Sequence, residues 1–200
     1  MAQYEIIKDV TQTLTKIIGD TFIEFGYKDI EIYNCLPTEE NVKKLPAICM
    51  FLSAVNIDKL IRERDGVLVS ETNEDGEVIE FETVPPVNLW LHFLLSAWGK
   101  TPQEEHVLLG LAMRTLLDNP VINESNFDGE SLQLGEEIPL RVVDDGEFGY
   151  DETMAFWRSI GEPVRPAILY RVGARLYGVK GKREIKRAIS RTFNFPRGNF

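Results

Sequence analysis

Residues 85–104 decide the fold, and they read PPVNLWLHFLLSAWGKTPQE. Two prolines precede an apolar run, from Val87 to Trp98, in which large side chains occupy both alternating sets of positions. A strand with one solvated face alternates apolar and polar residues, whereas a strand buried on both faces does not. The run therefore predicts a central strand that is covered on both sides.

A helix is predicted directly after this strand. Thr101, Pro102 and Glu104 stand where a capping box places its N-cap residue, its favoured proline and its reciprocal carboxylate. The helix runs to about Leu117, and apolar residues cover most of its circumference. We therefore expect this helix to be buried against both the sheet and a neighbour.

Segments on either side of this core add further elements, each predicted from hydrophobic spacing and turn residues. They are an amphipathic helix over 3–25, a short strand near 30–32, a buried strand over 47–56, a hairpin formed by 66–70 and 78–84 around the turn 73–76, a short helix capped by Asp151, and a strand over 167–179. The hairpin has few large residues on its inner face, so we expect it to project.

Composition and charge exclude several classes of protein. The chain has 200 residues, with 44% apolar and 27% charged residues, as in a folded domain. It has no apolar run long enough to span a membrane as a helix, and its N-terminus lacks the pattern of a secretory signal. Two cysteines and two histidines leave little for a disulfide scaffold or a metal site. We expect no cofactor and no metal.

The charge is divided unevenly along the chain. Residues 164–200 carry ten basic residues and one acid, while the rest carries 12 basic and 31 acidic residues. Such asymmetry indicates a docking tail on an acidic body. We expect a domain over 1–180 and a basic, aromatic arm over 181–200, in which 182–193 form a short basic helix.

Apolar anchors are interleaved with the basic residues of this arm, and three phenylalanines occur within its last eight residues. Arginine and aromatic side chains contribute most when they are buried at an interface. The predicted interface with a neighbouring subunit or polymer consists of Lys182, Arg183, Lys186, Arg187, Ile189, Arg191, Phe193, Phe195, Arg197 and Phe200. The alternative is a small protein that binds nucleic acid or an anionic membrane through the same tail. Long-range repulsion by the acidic body opposes that alternative.

Catalytic motifs are weak in this sequence. Gly99, Lys100 and Thr101 end like a phosphate-binding loop, but the glycine that this loop needs five residues earlier is Leu94, and the capping box already accounts for Thr101. His106 has acidic neighbours but lacks the second histidine of a zinc-protease helix, because residue 110 is glycine. A hydrolase using His106 remains a third hypothesis, and we expect no enzymatic activity.

Three stretches together resemble a known family. They are Pro86 to Trp98, Glu105 to Gly110, and Trp157 followed by Arg165-Pro166-Ala167-Ile168-Leu169-Tyr170. Their order and spacing resemble the cap, or tail-terminator, family of extracellular contractile injection systems, phage-tail-like particles in which a sheath surrounds a rigid tube. His92 departs from the aromatic or aliphatic residue of the family pattern. The acidic region 122–152 matches nothing in that pattern.

The resemblance implies an α+β fold, with a mixed, mainly antiparallel sheet flanked by helices; the projecting hairpin and the C-terminal basic arm are additions to it. It also implies a structural protein that forms a hexameric ring on the baseplate-distal end of the particle, contacts sheath and inner tube, ends their polymerisation and closes the tube. No nucleic acid is expected as a partner. Assembly would take place in the cytoplasm, within a particle that can be released from the cell.

Overall fold

The computed structural model describes residues 3–58, 67–72, 78–83, 86–129, 131–132, 136–143, 149–177 and 183–184, with backbone alone for 67–72, 78–83 and 183–184. The chain divides into two compact units. The first contains Met1–Arg62 and Val87–Leu176, and the second contains Glu63–Pro86 and Tyr177–Phe200. The predicted boundary between residues 180 and 181 lies outside the described residues and stays a prediction.

Helices and strands alternate irregularly along the chain, as the α+β class requires. In chain order they are a 3-10 turn (Gln3–Glu5), α1 (Ile6–Glu24), β1 (Glu31–Tyr33), β2 (Ala47–Ile57), β3 (Val67–Thr72), β4 (Val78–Thr83), β5 (Val87–Trp98), α2 (Pro102–Asp118), β6 (Val121–Ile122), β7 (Ile138–Val142), α3 (Tyr150–Ile160), β8 (Ala167–Leu176) and β9 (Arg183–Glu184).

The first unit contains a six-stranded sheet in the order β1-β2-β5-β8-β7-β6. Only the β1–β2 pair is parallel among the described strands, and the other neighbours run antiparallel. The expected mixed, mainly antiparallel sheet flanked by helices is confirmed.

Strand β5 occupies the middle of this sheet. It pairs with β2 from Ile57↔Leu89 to Ala47↔Trp98, and with β8 from Val87↔Leu176 to Ser96↔Ala167. Every residue from 91 to 98 is buried. The prediction of a central strand covered on both faces is confirmed.

The two faces of the sheet are covered by different helices. Helices α1 and α2 cover one face, where the main core includes Val10, Ile18, Phe22, Leu91, Phe93, Leu95, Leu108 and Val172. On the other face, Trp157 of α3 packs with Ala47, Cys49 and Trp98. Helix α3 therefore covers the end of this face at which β5 finishes.

Two burial predictions are wrong, and both overestimate burial. Strand β2 is buried only from Ala47 to Met50, and its last five residues are exposed. Helix α2 has buried side chains at Leu108, Ala112, Thr115 and Leu116, whereas Val107 and Leu117 are exposed. Helix α2 lies against the sheet on one side, and nothing in the described part of the chain buries its outer side.

The predicted N-cap residue is confirmed for α2 and is wrong for α3. Thr101 is the N-cap of α2, and its Oγ1 accepts a hydrogen bond from Glu104 N at 3.2 Å. Helix α3 is capped by Gly149 rather than by Asp151. The Gly149 N–H donates to Glu152 Oε2 at 2.9 Å, so the carboxylate at the third helical position supplies the reciprocal half of a capping box, while Gly149 has no side chain to supply the other half.

In the second unit, β3 and β4 form an antiparallel hairpin with the register Val67↔Thr83 to Thr72↔Val78. The predicted hairpin is confirmed, although its turn lies outside the described residues. Strand β9 adds to β4 through Phe81↔Glu184 and Glu82↔Arg183. A helix is therefore wrong for residues 183 and 184, and the remainder of the predicted arm helix lies outside the described residues.

A buried carboxylate fastens the loop after β6 to α1. Asp9 is 1% exposed, and its Oδ2 accepts a hydrogen bond from Ser131 N at 2.8 Å. Thr13 Oγ1 accepts a second from Asp128 N at 3.0 Å. Gly129, with φ +134°, lies between these contacts, and a Cβ added to it would meet Asp9 Cγ at 2.2 Å. Only glycine fits both this backbone conformation and this close approach.

The substitution Gly129→Ala should therefore destabilise the fold by about 2–4 kcal/mol, since backbone strain and overlap with Asp9 act together. Gly110→Ala is the matched control, because a Cβ on this exposed α2 residue meets nothing within 4 Å. That control should stabilise the protein by about 1 kcal/mol, the difference in helix propensity. Urea unfolding of both variants measures the effects, and equal stabilities would contradict the packing described.

Burial also favours the protonated form of the Cys49 thiol. Cys49 is fully buried on β2, and desolvation raises its pKa to about 12. Its Sγ donates to the Cys35 carbonyl oxygen at 3.1 Å, so the protonated thiol is the form that the fold holds.

Stability should fall as the pH rises from about 9 towards 12, because the unfolded chain then loses the Cys49 proton while the folded chain keeps it. Below pH 9 the folded and the unfolded chain both keep this proton, so the stability is not reduced by ionisation of Cys49. Urea unfolding at pH 7.5 and pH 10 should show a smaller pH-dependent loss for Cys49→Ala than for the original chain. The comparison isolates Cys49 from Tyr170, whose pKa burial also raises. Identical losses would contradict the assignment.

Candidate assembly interface

Most of the predicted arm interface cannot be placed. Of its ten residues, the structure describes the backbone of Arg183 in β9. The other nine lie outside the described residues: Lys182, Lys186, Arg187, Ile189, Arg191, Phe193, Phe195, Arg197 and Phe200. The assignment of these residues to an interface stays a prediction.

Arg165 contacts two other residues that carry the family resemblance, Trp98 and Glu105. The Arg165 guanidinium lies 4.1 Å from the centroid of the Trp98 ring and forms an ion pair with Glu105. Glu39 contributes a second, exposed carboxylate at 3.8 Å. One side chain thus connects the end of β5, the first turn of α2 and the segment leading into β8. This part of the sequence pattern holds the fold together.

Two glutamates in the first turn of α2 accept hydrogen bonds from the amides that a phosphate would need. Lys100 N donates to Glu104 Oε2 at 2.6 Å, and Gly99 N donates to Glu105 Oε1 at 3.4 Å. Side chains of the first turn of α2 therefore accept hydrogen bonds from the backbone that leads into this helix. His106 is exposed beside them. Both neighbouring carboxylates are engaged in structural bonds, which weakens the hypothesis of a hydrolase using His106.

His92 is an interior imidazole. It is 8% exposed, and Asn56 Nδ2 lies 3.3 Å from its Nε2. Nearby on the same sheet face, Trp90 Nε1 donates to Asp58 Oδ2 at 2.9 Å. The guanidinium of Arg171 lies 5.4 Å from the Trp90 ring centroid. The sheet face that α3 leaves uncovered is therefore polar, in contrast to the apolar end under α3.

A cavity of about 360 Å³ opens at this polar end of the sheet. Asp58, Glu136, Glu137 and Arg175 line it together with Trp90. With three acidic side chains and one basic side chain, its lining is acidic overall. Within the described ranges, no three His, Cys, Asp or Glu side chains come close enough together to hold a metal ion. None of the described helices is long and apolar enough to cross a membrane.

The outer side of α2 is the first exposed apolar surface. Val107 is 55% exposed, Met113 36% and Leu117 71%, and the helical spacing places them along one stripe. Phe25, at the end of α1, lies close to this stripe because its ring contacts Arg114 at 5.4 Å. We call this surface the outer α2 stripe, and its contact with a neighbour stays a prediction.

The outer edge of β2 is the second surface, and sequence reasoning missed it. Strand β1 pairs with β2 only at Ala47, Ile48 and Cys49. Val55 and Ile57 are 44% and 63% exposed, although the buried strand predicted over 47–56 includes Val55. Residues 53–57 are exposed throughout, and the apolar run of β2 gives no signal of this exposure.

The chain is similar to known proteins in sequence and in fold. A family model described as the Pvc16 N-terminal domain matches residues 9–190. A PVC sheath/tube terminator of an extracellular contractile injection system, in the extended state, is 17% identical with a TM-score of 0.61; the match covers 92% of this chain and 63% of that chain. The anti-feeding prophage cap, a tube terminating cap, is 16% identical with a TM-score of 0.63; the match covers 96% and 61%. No curated protein matches this chain.

At these identities the two structures establish the fold, and this chain spans about three fifths of the length of each. The resemblance to the tail-terminator family, drawn from three stretches of sequence, is confirmed. Because the family model matches far more than half of the residues, the chain belongs to the Pvc16 N-terminal domain family.

Proposed function

We propose that this chain is a structural cap of a contractile injection particle. It forms a ring at the baseplate-distal end, ends the polymerisation of tube and sheath, and closes the tube. The observation that carries this proposal is a fold shared over more than nine tenths of the chain with a sheath/tube terminator and with a tube terminating cap. Fold alone does not fix function, so the exposed surfaces supply the second support.

A subunit at the end of a polymer needs surfaces for its ring neighbours and for the last polymer layer. The outer α2 stripe suits contact between copies, because three large apolar side chains are exposed along one helix. Closed cyclic rings are the usual form of homo-oligomers, and we propose six subunits to match a six-fold tube and sheath. The mechanism is steric: the ring occupies the growing end, and the next subunits cannot add.

The basic arm is proposed to strengthen attachment to sheath or to a neighbouring subunit. Several arms acting together raise avidity without strong individual contacts. Assembly is proposed to take place in the cytoplasm, with the ring remaining part of the particle after its release. No catalytic step belongs to this proposal.

Removing the arm tests its role. A chain ending at Glu184 keeps β9 and its pairing with β4, whereas a chain ending at Gly181 loses both. Both truncations should leave the six-stranded sheet folded, as circular dichroism would show. Particles made with the chain ending at Glu184 should have unstable caps or irregular lengths in electron micrographs. Normal particles from that truncation would contradict the assignment of residues 185–200 to attachment.

Introducing charged residues on the outer α2 stripe tests whether this surface forms the contact between subunits of the ring. The double variant Val107→Glu and Leu117→Glu should lose the oligomer, because charges would be buried between copies. Its stability as a monomer should change by less than about 0.5 kcal/mol, as both side chains are exposed. Gln103→Glu, on an exposed residue of the same helix, is the control and should leave the mass in solution unchanged. Native mass spectrometry measures the outcome, and an unchanged oligomer in the double variant would contradict the stripe as contact.

A further inference from the structure

The two cysteines of the chain lie together in the fold. They are 14 positions apart in the sequence, and the chain has no other cysteine. Cys49 Sγ donates to the Cys35 carbonyl oxygen at 3.1 Å. Both side chains belong to one apolar cluster, together with Trp98 and Trp157. Any reaction that joins two thiols within this chain therefore involves this pair.

The path of the chain explains why the two cysteines meet. Strand β1 pairs in parallel with β2, and Tyr33 is the register partner of Cys49. The chain leaves β1 after Tyr33 and brings the Cys35 carbonyl back to the side chain of Cys49. From the lengths of the bonds involved, this contact places the two Cα atoms at most about 8 Å apart. A disulfide needs a separation of about 4.4–6.8 Å, so its closure requires no more than a small movement of the segment after β1.

The two thiols differ in their access to solvent. Cys49 is 0% exposed, whereas Cys35 is partly exposed. A dissolved oxidant therefore reaches Cys35 first, and Cys49 reacts with a group that the chain itself brings to it. Burial, and after it the neighbouring Cys35, raise the pKa of Cys49 to about 12. A thiol with such a pKa stays protonated and unreactive until its neighbour has been activated.

We propose that Cys35 and Cys49 are a redox-modification site, which closes into an intramolecular disulfide when a small-molecule disulfide such as oxidised glutathione is supplied. The Cys35 thiolate attacks one sulfur of the reagent, the S–S bond of the reagent breaks, and one glutathione leaves. The Cys49 sulfur then attacks Cys35 Sγ, the new S–S bond forms, and the second glutathione leaves. Two thiols are oxidised to one disulfide, and the two protons that they lose end on the two glutathione molecules.

The disulfide would secure the connection from β1 to β2. The tethers of this connection are exposed: Glu39 N donates to Glu162 Oε1 at 3.0 Å, and Lys44 Nζ lies 2.6 Å from Glu31 Oε1. Exposed ion pairs contribute little to stability, whereas a covalent bond across the connection restricts the unfolded chain. The chain can thus fold with free thiols in a reducing compartment and become covalently closed in an oxidising one. This inference does not rest on the proposed function, because every residue that carries it lies in the first unit.

Peptide mapping of the intact chain tests the bond. Lys43 and Lys44 are exposed between the two cysteines, so trypsin separates Cys35 from Cys49. The folded chain is incubated with oxidised glutathione, and its free thiols should fall about tenfold. Non-reducing digestion should then give one linked pair of peptides, two hydrogen atoms lighter than the separate peptides.

Three results of this experiment would overturn the proposal. A stable glutathione adduct on Cys35 beside a free Cys49 would mean that the buried sulfur cannot reach its neighbour. Covalent dimers linked through Cys35 would make a second copy the partner. Two thiols that stay free would mean that the pair is not oxidised at all.

A variant that cannot form the bond provides the matched control. Cys35→Ser removes the accessible thiol but keeps the carbonyl oxygen that accepts the hydrogen bond from Cys49. Oxidised glutathione should raise the midpoint of thermal unfolding of the original chain by about 5–10 °C, and dithiothreitol should reverse this rise. The midpoint of Cys35→Ser should not change with either reagent. An equal rise in the variant would overturn the proposal, since no disulfide within the chain could then explain it.

Discussion

The burial of β5 on both faces is the constraint on which the rest of the structure depends. An apolar strand in the middle of a sheet requires a hydrogen-bonded neighbour on each side and a covering layer on each face. Strands β2 and β8 satisfy the first requirement, and α1, α2 and α3 satisfy most of the second. The few polar side chains on β5 are accommodated individually: Trp98 Nε1, for example, donates to Ser96 Oγ at 3.1 Å.

The most recognisable residues of the sequence serve this core rather than a partner. Trp98, Glu105 and Arg165 meet where β5, α2 and the entry to β8 come together, and Arg165 and Glu105 are largely shielded from solvent. A shielded ion pair stacked on an aromatic ring fixes geometry more than it adds stability. A family pattern built on such residues identifies the fold, while the contacts that give the protein its role belong to edges and outer faces.

What the sequence could predict follows the range of the interactions involved. The capping box of α2 and the apolar run of β5 are local, and both were read correctly. The exposure of Leu117 and of Ile57 depends on where covering elements end, which periodicity along one segment does not encode. The contact of Asp9 with Gly129 joins residues 120 positions apart, and no local pattern indicates it. The open edge of β2 likewise depends on where β1 ends, so the sequence of β2 alone did not indicate it.

The route of the chain gives the second unit a modular character. Strand β2 ends at Ile57, opposite Leu89, and β8 ends at Leu176, opposite Val87. The ends of β2 and β8 and the start of β5 therefore lie at the same end of the six-stranded sheet. Residues 58–86 join two strands that are already adjacent, so a tight turn could replace them without changing the sheet register. A connection of another length would therefore preserve the pairing of β2 with β5, whereas losing β4 would remove the partner of β9.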